Sequence, residues 1–481
     1  MSIIPTEAAS RTGAERRITV FFNRACFGLA IFEIVVFLAG LVRALTWAAH
    51  FSLQGVVVPF CLASFFLFLH SRRTKMRTEA SVLAVFFVFG LMSIDGLIDY
   101  TTRPHRNLSY TREQRARELG IPYDGRGIPK VVTTLRDGGV DAYPHIAPSF
   151  LIGRDHAPLY PMGGISGKTI VFCNESGKFS IYPSDQHGFN NPPESWDKGA
   201  VRSLVIGDSF ANGACVQPGE DVASRLRVQG VSSITLGMWG NGPLIELGSL
   251  VEYAPALRPK VVFWLFYEND LDRLPHEAED PLLQRYLDPG FSQHLIDHQD
   301  EIDAYLIKTV RSMYREKGID LSKPSAELPV RYQLAGISLD WKQVGGNLDH
   351  LIQIASLQQI RSFMENLLVY KHSGATTELF SRVLARAKSV VGAWGGKIYF
   401  VYLPEYYRFA PISPLDRLEY RRLHDTATRA ARDNGIEVID VLDVFNAQPD
   451  PLGLFPLRMY GHYTAETYDL IAQVLTKCLG H

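Results

Sequence analysis

Apolar residues are spread along this chain in two regimes. In the first hundred positions they crowd into three long runs, 21–45, 51–69 and 80–98. Each approaches the about 20 residues that a helix needs to cross a hydrocarbon core. A cleaved leader accounts for the first run only, because two more follow it. Beyond residue 200 the apolar runs become short: 201–206, 233–236, 261–266, 397–403 and 438–441. Short continuous runs of this kind read as strands buried on both faces. Between and after them, helical periodicity marks 221–228, 243–253, 376–391, 414–434 and 464–479. Strands alternating with helices predict an α/β fold with a parallel, doubly wound sheet.

Residues 101–199 match neither regime. Proline and glycine are scattered through them, with short strand-like stretches in KTIVFC and KFSIYP, and FNNPPESWDKG reads as a linker. Three parts are therefore expected: a three-helix membrane anchor over 1–100, a small strand-rich subdomain and linker over 101–199, and a main domain over 200–481. The main domain carries an insertion at about 271–373 that belongs to no strand–helix–strand unit. Within it, 350–368 is an amphipathic helix candidate with Leu351, Ile354, Leu357, Ile360, Met364 and Leu367 on one stripe.

Charge orients the anchor. Arg11, Arg16, Arg17 and Arg24 precede or open the first run, and Arg72, Arg73, Lys75 and Arg77 fill the second loop. Asp95 and Asp99 close the third run. Basic loops stay in the cytoplasm, so the N-terminus is expected inside and everything past Tyr100 outside, which in a bacterium is the periplasm. Glu33, inside the first run, faces either a second membrane protein or a hydrogen-bond partner in its own bundle. Net charge is −1 over 481 residues, no footprint for nucleic acid. The five cysteines form no CxxC pair and no metal-ligand spacing, so neither a metal nor an organic cofactor is implied. Cys173 and Cys215 can pair if their domain is exported.

Ligands of open α/β sheets bind beyond the C-terminal ends of the strands, and the unusual residues of this chain stand there. Gly207-Asp208-Ser209-Phe210 follows the first predicted strand and Gly237-Met238-Trp239-Gly240-Asn241-Gly242 the second. Tyr267-Glu268-Asn269-Asp270 follows the third, and Gly461-His462-Tyr463 precedes the last helix. A serine attacking a carbonyl needs a base for its proton and donors for the developing oxyanion. Ser209 suits the nucleophile and His462 the base. Gly240 lets a backbone N–H approach without a Cβ in the way, and the Asn269 amide supplies a further donor. Asp208 reads as a turn residue bonding its own backbone, and His187 and Asn190 in DQHGFNN read the same way. Trp239 lines a pocket or packs the core.

These blocks resemble the SGNH/GDSL hydrolases, from about residue 201 to the end, and the stretches GDSFANGACV, LGMWGNGPLIEL and FYENDLDRL are similar to a bacterial, membrane-anchored branch of them. The resemblance implies a flavodoxin-like three-layer sandwich, with Ser209 and His462 catalytic and an oxyanion hole from the Ser209 N–H, the Gly240 N–H and the Asn269 side chain. It departs from the family twice. Tyr267 and Glu268 replace the usual start of the third block, and Met459 stands three before His462, where the family has an aspartate. Ser209 and His462 then act as a dyad, or His462 is oriented by a backbone carbonyl or by a carboxylate elsewhere, with Asp440 and Asp443 as candidates, and any acceptor on its far ring nitrogen takes the missing aspartate's place. The implied activity is ester hydrolysis or O-acyl transfer on an envelope glycan or lipid-linked saccharide, at the membrane, beside other envelope-assembly membrane proteins. The alternative is a non-catalytic scaffold or binding module in envelope polysaccharide assembly, favoured by the two departures and opposed by the retention of Ser209, Asn269 and His462 together.

Overall fold

The structure is a computed structural model describing residues 111–154, 159–196, 201–328, 374–410, 412 and 414–479, with helical residues at 21, 24, 27–31, 34, 64–66 and 90. The chain divides into two compact units, Met1–Ser109 with Leu339–Tyr370, and Tyr110–Ser338 with Lys371–His481. In the first unit Phe21, Phe27 and Ile31 are exposed helical residues. Most of the three apolar runs, and the whole helix expected at 350–368, lie outside the described residues. Among the described residues no helix is long and apolar enough to cross a membrane.

Among the described residues the second unit has two sheets. The larger one has strands β4 (Ser203–Gly207), β5 (Ser233–Thr235), β6 (Val261–Tyr267), β7 (Lys397–Leu403) and β8 (Glu437–Asp440) in the order β5-β4-β6-β7-β8, every pair parallel. Relabelled from its own first strand this is 2-1-3-4-5, the flavodoxin-like order, with its switch point between the first and third strands. Side chains alternate across a strand, and β6 shows how both faces become core. Val262, Trp264 and Phe266 join one apolar cluster, Phe263, Leu265 and Tyr267 the other.

Helices cover each face. Helix α5 (Pro243–Leu257), α8 (Gly374–Gly392) and α9 (Pro414–Asp433) contribute Leu247, Leu250, Val383, Leu384, Ala427 and Ala431 to the first cluster. Helix α4 (Val222–Val228) and α10 (Ala465–Leu479) contribute Leu226, Ile471 and Leu475 to the second. The result is three layers, helix–sheet–helix. Turn helix α3 (Ser209–Asn212) and α6 (Asp270–Glu277) start directly after β4 and β6, at the C-terminal edge.

The smaller sheet, β1 (Ala142–Pro144), β2 (Thr169–Val171) and β3 (Ile181–Pro183), joins a parallel to an antiparallel pair. Tyr143, Ile170 and Tyr182 belong to the same cluster as the main sheet's first face, so the two sheets share a core. The expected strands in KTIVFC and KFSIYP form, but so do two helices set among the scattered prolines and glycines, α1 (Arg112–Glu118) and α2 (Ile128–Asp137). The insertion likewise holds more regular structure than expected. Helix α7 (Gln299–Glu316) buries Ile302, Leu306 and Val310, a stripe one residue wide at i, i+4 and i+8. Tyr305, Ile307, Met313 and Tyr314 pack beside that stripe against the same core, half-buried.

Candidate active site

The GDS serine is built as its local sequence demands. Strand β4 ends at Gly207, Asp208 caps the next turn, and Ser209 is its first helical residue. Asp208 Oδ1 accepts the N–H of Phe210 at 2.9 Å, the turn role expected of it. Asp208 Oδ2 accepts the hydroxyl of Ser209 at 3.2 Å. Burial pushes the Asp208 carboxyl up, against the opposing pull of the Phe210 N–H, Arg273 and His462. Ser209 itself is buried, and its N–H, at the start of a helix, has no backbone acceptor among the described residues.

Gly240 has φ +76°, and a Cβ there would stand 2.7 Å from the Ser149 hydroxyl. A side chain is thus excluded on both conformational and steric grounds. The Gly240 carbonyl accepts from Arg273 Nη1 at 3.0 Å. Just beyond, Glu277 takes the N–H groups of Gly242 and Leu244 at 2.6 and 2.9 Å, two of the unpaired donors that open α5. Burial raises the Glu277 carboxyl to about 7, with those N–H groups opposing. Asn269 is the residue from which α6 starts, and its buried Oδ1 has no partner among the described residues. Arg273 lies one turn along α6, so a single side chain ties the Gly240 turn to the helix that Asn269 begins.

The unusual third block has a local explanation. Tyr267 stacks on Phe210 with ring centroids 3.9 Å apart, which wedges β6 against the serine turn. Glu268 turns instead into a buried ion pair with Arg408, shared with the Tyr402 hydroxyl. Burial raises the Glu268 carboxyl while Arg408 opposes it.

His462 has an orienting carboxylate, and it comes from neither aspartate proposed from the sequence. Glu175, in the loop between β2 and β3, accepts the backbone N–H of His462 at 2.7 Å. Its other oxygen lies 3.2 Å from His462 Nδ1. Asp440 is engaged elsewhere, with His424 Nε2 at 2.6 Å and the Leu442 N–H at 3.0 Å. Asp440 ends β8, on the far edge of the sheet, whereas Glu175 is brought in by the small sheet. Burial acts to raise the Glu175 carboxyl, but the His462 charge, the bonds to its imidazole and backbone, and Arg112 outweigh it and hold the carboxyl below its usual range. Arg112 Nη2 reaches Glu175 at 2.9 Å and the Tyr460 carbonyl at 2.6 Å. Gly461 makes room: a Cβ there would stand 2.4 Å from both Glu175 and Arg112.

Two residues before Glu175, Cys173 forms a disulfide with Cys215, just past the serine turn. Cys215 Sγ lies 3.5 Å from His462 Nδ1. The structure therefore gathers Glu175 and His462 tightly and holds the Phe210 ring 5.0 Å from the imidazole. Among the described residues the Ser209 hydroxyl bonds Asp208, not His462. A carboxylate facing Nδ1 favours the tautomer that carries its proton there, in which Nε2 is the acceptor. Sequence reasoning missed Glu175, Arg112 and Arg273. In CNESGK a glutamate in a polar turn looks like any solvated one, and nothing local says what it faces.

Of the other residues weighed, His187 packs against Trp196 and Tyr253 in a turn organised by Asp185. Asn190 bonds the Asn212 carbonyl at 2.9 Å, and Trp239 packs on Phe150 and Phe172. A cavity of about 610 Å³ lined by Leu159, Arg285, Phe291 and Gln293 includes none of the catalytic candidates.

No family model and no curated protein matches the chain. Among solved structures, it is similar to a lipase/acylhydrolase from Enterococcus faecalis, with 12% identity over 58% of this chain and 95% of that one and a TM-score of 0.29.

Proposed function

We propose that the chain is a membrane-anchored serine ester hydrolase or O-acyltransferase, with Ser209 as nucleophile, His462 as base and Glu175 as the carboxylate that orients it. The observation that carries this reading is the contact of Glu175 with both the backbone N–H and Nδ1 of His462. It supplies the element missing three residues before the histidine. Ser209, polarised by an imidazole whose far nitrogen is held by a carboxylate, attacks the ester carbonyl as His462 Nε2 takes its proton. Rotation of the hydroxyl from Asp208 toward His462 precedes attack. The N–H groups of Ser209 and Gly240 and the Asn269 amide receive the oxyanion. His462 returns the proton to the leaving alcohol, and water or an acceptor hydroxyl then discharges the acyl-serine. Hydrolysis and transfer share that intermediate. The direct test is labelling of Ser209 by a fluorophosphonate probe. Absence of labelling in the folded protein favours the non-catalytic scaffold reading instead.

Substrate class follows from location. Three spans with the N-terminus inside would put the site on the outer face of a bacterial cytoplasmic membrane, among acylated glycans and lipid-linked saccharides, in reach of other envelope-assembly membrane proteins. The support is the run lengths and the distribution of basic residues, and the Cys173–Cys215 disulfide suits an oxidising compartment. Reporter fusions after Arg73 and after Gly199 are expected on opposite sides of the membrane. Two cytoplasmic signals would remove both the export and the envelope substrate.

The oxyanion assignment has its own measurement. Asn269→Ala is expected to lower kcat by about 10²–10³-fold, the usual effect of deleting one such donor. KM should stay nearly constant, because the donor acts on charge that develops only in the transition state. Undiminished turnover would show that Asn269 merely starts α6.

A further inference from the structure

We infer that, once the Cys173–Cys215 disulfide is reduced, this corner of the site becomes a zinc centre, with Cys173, Cys215, His462 and Glu175 as its four ligands. The inference concerns regulation of the site proposed above, but metal binding can be tested without any substrate.

The ligand atoms of Glu175, Cys215 and His462 all lie within 4.8 Å of one another. Cysteine, histidine and carboxylate are the donors zinc takes in four-coordinate sites, at about 2.3 Å for sulfur and about 2.0–2.2 Å for nitrogen and oxygen. A tetrahedron with those bonds has edges of roughly 3.3–3.8 Å. Two edges are already in place: Cys215 Sγ to His462 Nδ1 at 3.5 Å, and His462 Nδ1 to the Glu175 carboxylate at 3.2 Å. Cys173 is the fourth corner: its sulfur is held at Cys215 and, once the disulfide is broken, rotates toward His462 and Glu175 to complete the set.

Charge and surroundings fit as well. Two thiolates, a carboxylate and a neutral imidazole leave the complex with one net negative charge, and Arg112 already sits against Glu175 at 2.9 Å. Glu175 also keeps the backbone N–H of His462, the kind of outer hydrogen bond that fixes a metal ligand. Cys215 and Glu175 are buried, so such an ion would be held out of solvent.

The chemistry balances with a dithiol reductant. The dithiol passes two electrons and two protons to the disulfide, giving two cysteine thiols and the oxidised, cyclic reductant. Zinc then binds both sulfurs and releases the two thiol protons to solvent. Coordination through Nδ1 shifts the imidazole proton to Nε2, so His462 can no longer accept a proton from Ser209. The zinc form is catalytically silent, and removal of the metal followed by reoxidation restores activity.

The experiment uses the purified full-length chain, reduced under anaerobic conditions and titrated with Co(II) and then Zn(II). One equivalent of cobalt is expected to give thiolate-to-cobalt charge transfer together with the intense visible bands of tetrahedral cobalt, both abolished by one equivalent of zinc. The oxidised chain and the reduced Cys173→Ser variant should lack that spectrum. Zinc should also protect two thiols of the reduced chain from alkylation. Ser209→Ala should bind the metal like the parent chain, which separates this inference from the catalytic reading. A reduced chain that takes up no cobalt, gives only a weak octahedral spectrum, or unfolds on reduction in the presence of zinc by circular dichroism overturns the inference. Equal binding by Cys173→Ser does so too.

Discussion

Ser209→Ala is expected to abolish fluorophosphonate labelling and to lower kcat by on the order of 10⁶-fold, the scale seen when a nucleophilic serine is removed elsewhere. The size follows from its role: without the hydroxyl no acyl-serine forms, and only the oxyanion donors and substrate binding remain. Stability should fall only modestly. The serine makes one side-chain hydrogen bond, at 3.2 Å to Asp208, and a net contribution of about 0.5–1.5 kcal/mol is usual for such a bond. Matched thermal denaturation of the two proteins checks this, and a large drop in Tm would mean that Ser209 is a structural residue of the turn. Equal labelling of Ser209→Ala and the parent chain would place the reactive serine elsewhere.

Glu175→Gln is the second large effect, expected at about 10⁴-fold in kcat with KM little altered, as when an orienting carboxylate becomes an amide. The glutamine carbonyl can still accept the His462 N–H. Its NH₂ group, facing Nδ1, then favours the tautomer with the proton on Nε2, which cannot serve as base. A second signature lies in stability against pH. The folded-state carboxyl of Glu175 is held below its unfolded value. Its contribution is therefore fully present above the unfolded value of about 4.3 and is lost as pH falls through the lower folded value. The Tm difference between parent and Glu175→Gln should shrink over that acidic window and stay level above it. A difference constant through the window, with unchanged kcat, would show that Glu175 only tethers the loop.

Much of the main domain was legible in the sequence because each strand buried on both faces is a continuous apolar run. The reading 397–403 coincides with β7, and 261–266 falls one residue short of β6. Helix ends were set by their own signals, as at Pro243 for α5 and Asp221 before α4. Ser209, Gly240, Asn269 and His462 stood out for the same reason, each following or preceding an element whose limits could be read. Glu175 did not, since its meaning depends on a partner 287 residues away. Asp440 attracted attention as an acid near the end of a predicted strand. Its strand proved to be the sheet's outer one, and its partner His424 sits on α9.

The bonds of Arg112 and Arg115 to the carbonyls of Tyr460 and Leu457 span 348 and 342 residues. They fasten the beginning of the second unit to its last turns before α10. Glu175 belongs to that early part and His462 to the late one, so their contact is among those of longest range in the unit. Closure of such contacts comes late in folding, because the intervening chain must first give up its freedom. On a ribosome or at a translocation pore, the turns that carry Ser209, Gly240 and Asn269 emerge well ahead of His462. A C-terminally clipped chain would lose His462 together with α10, and with them the cover of one face of the sheet.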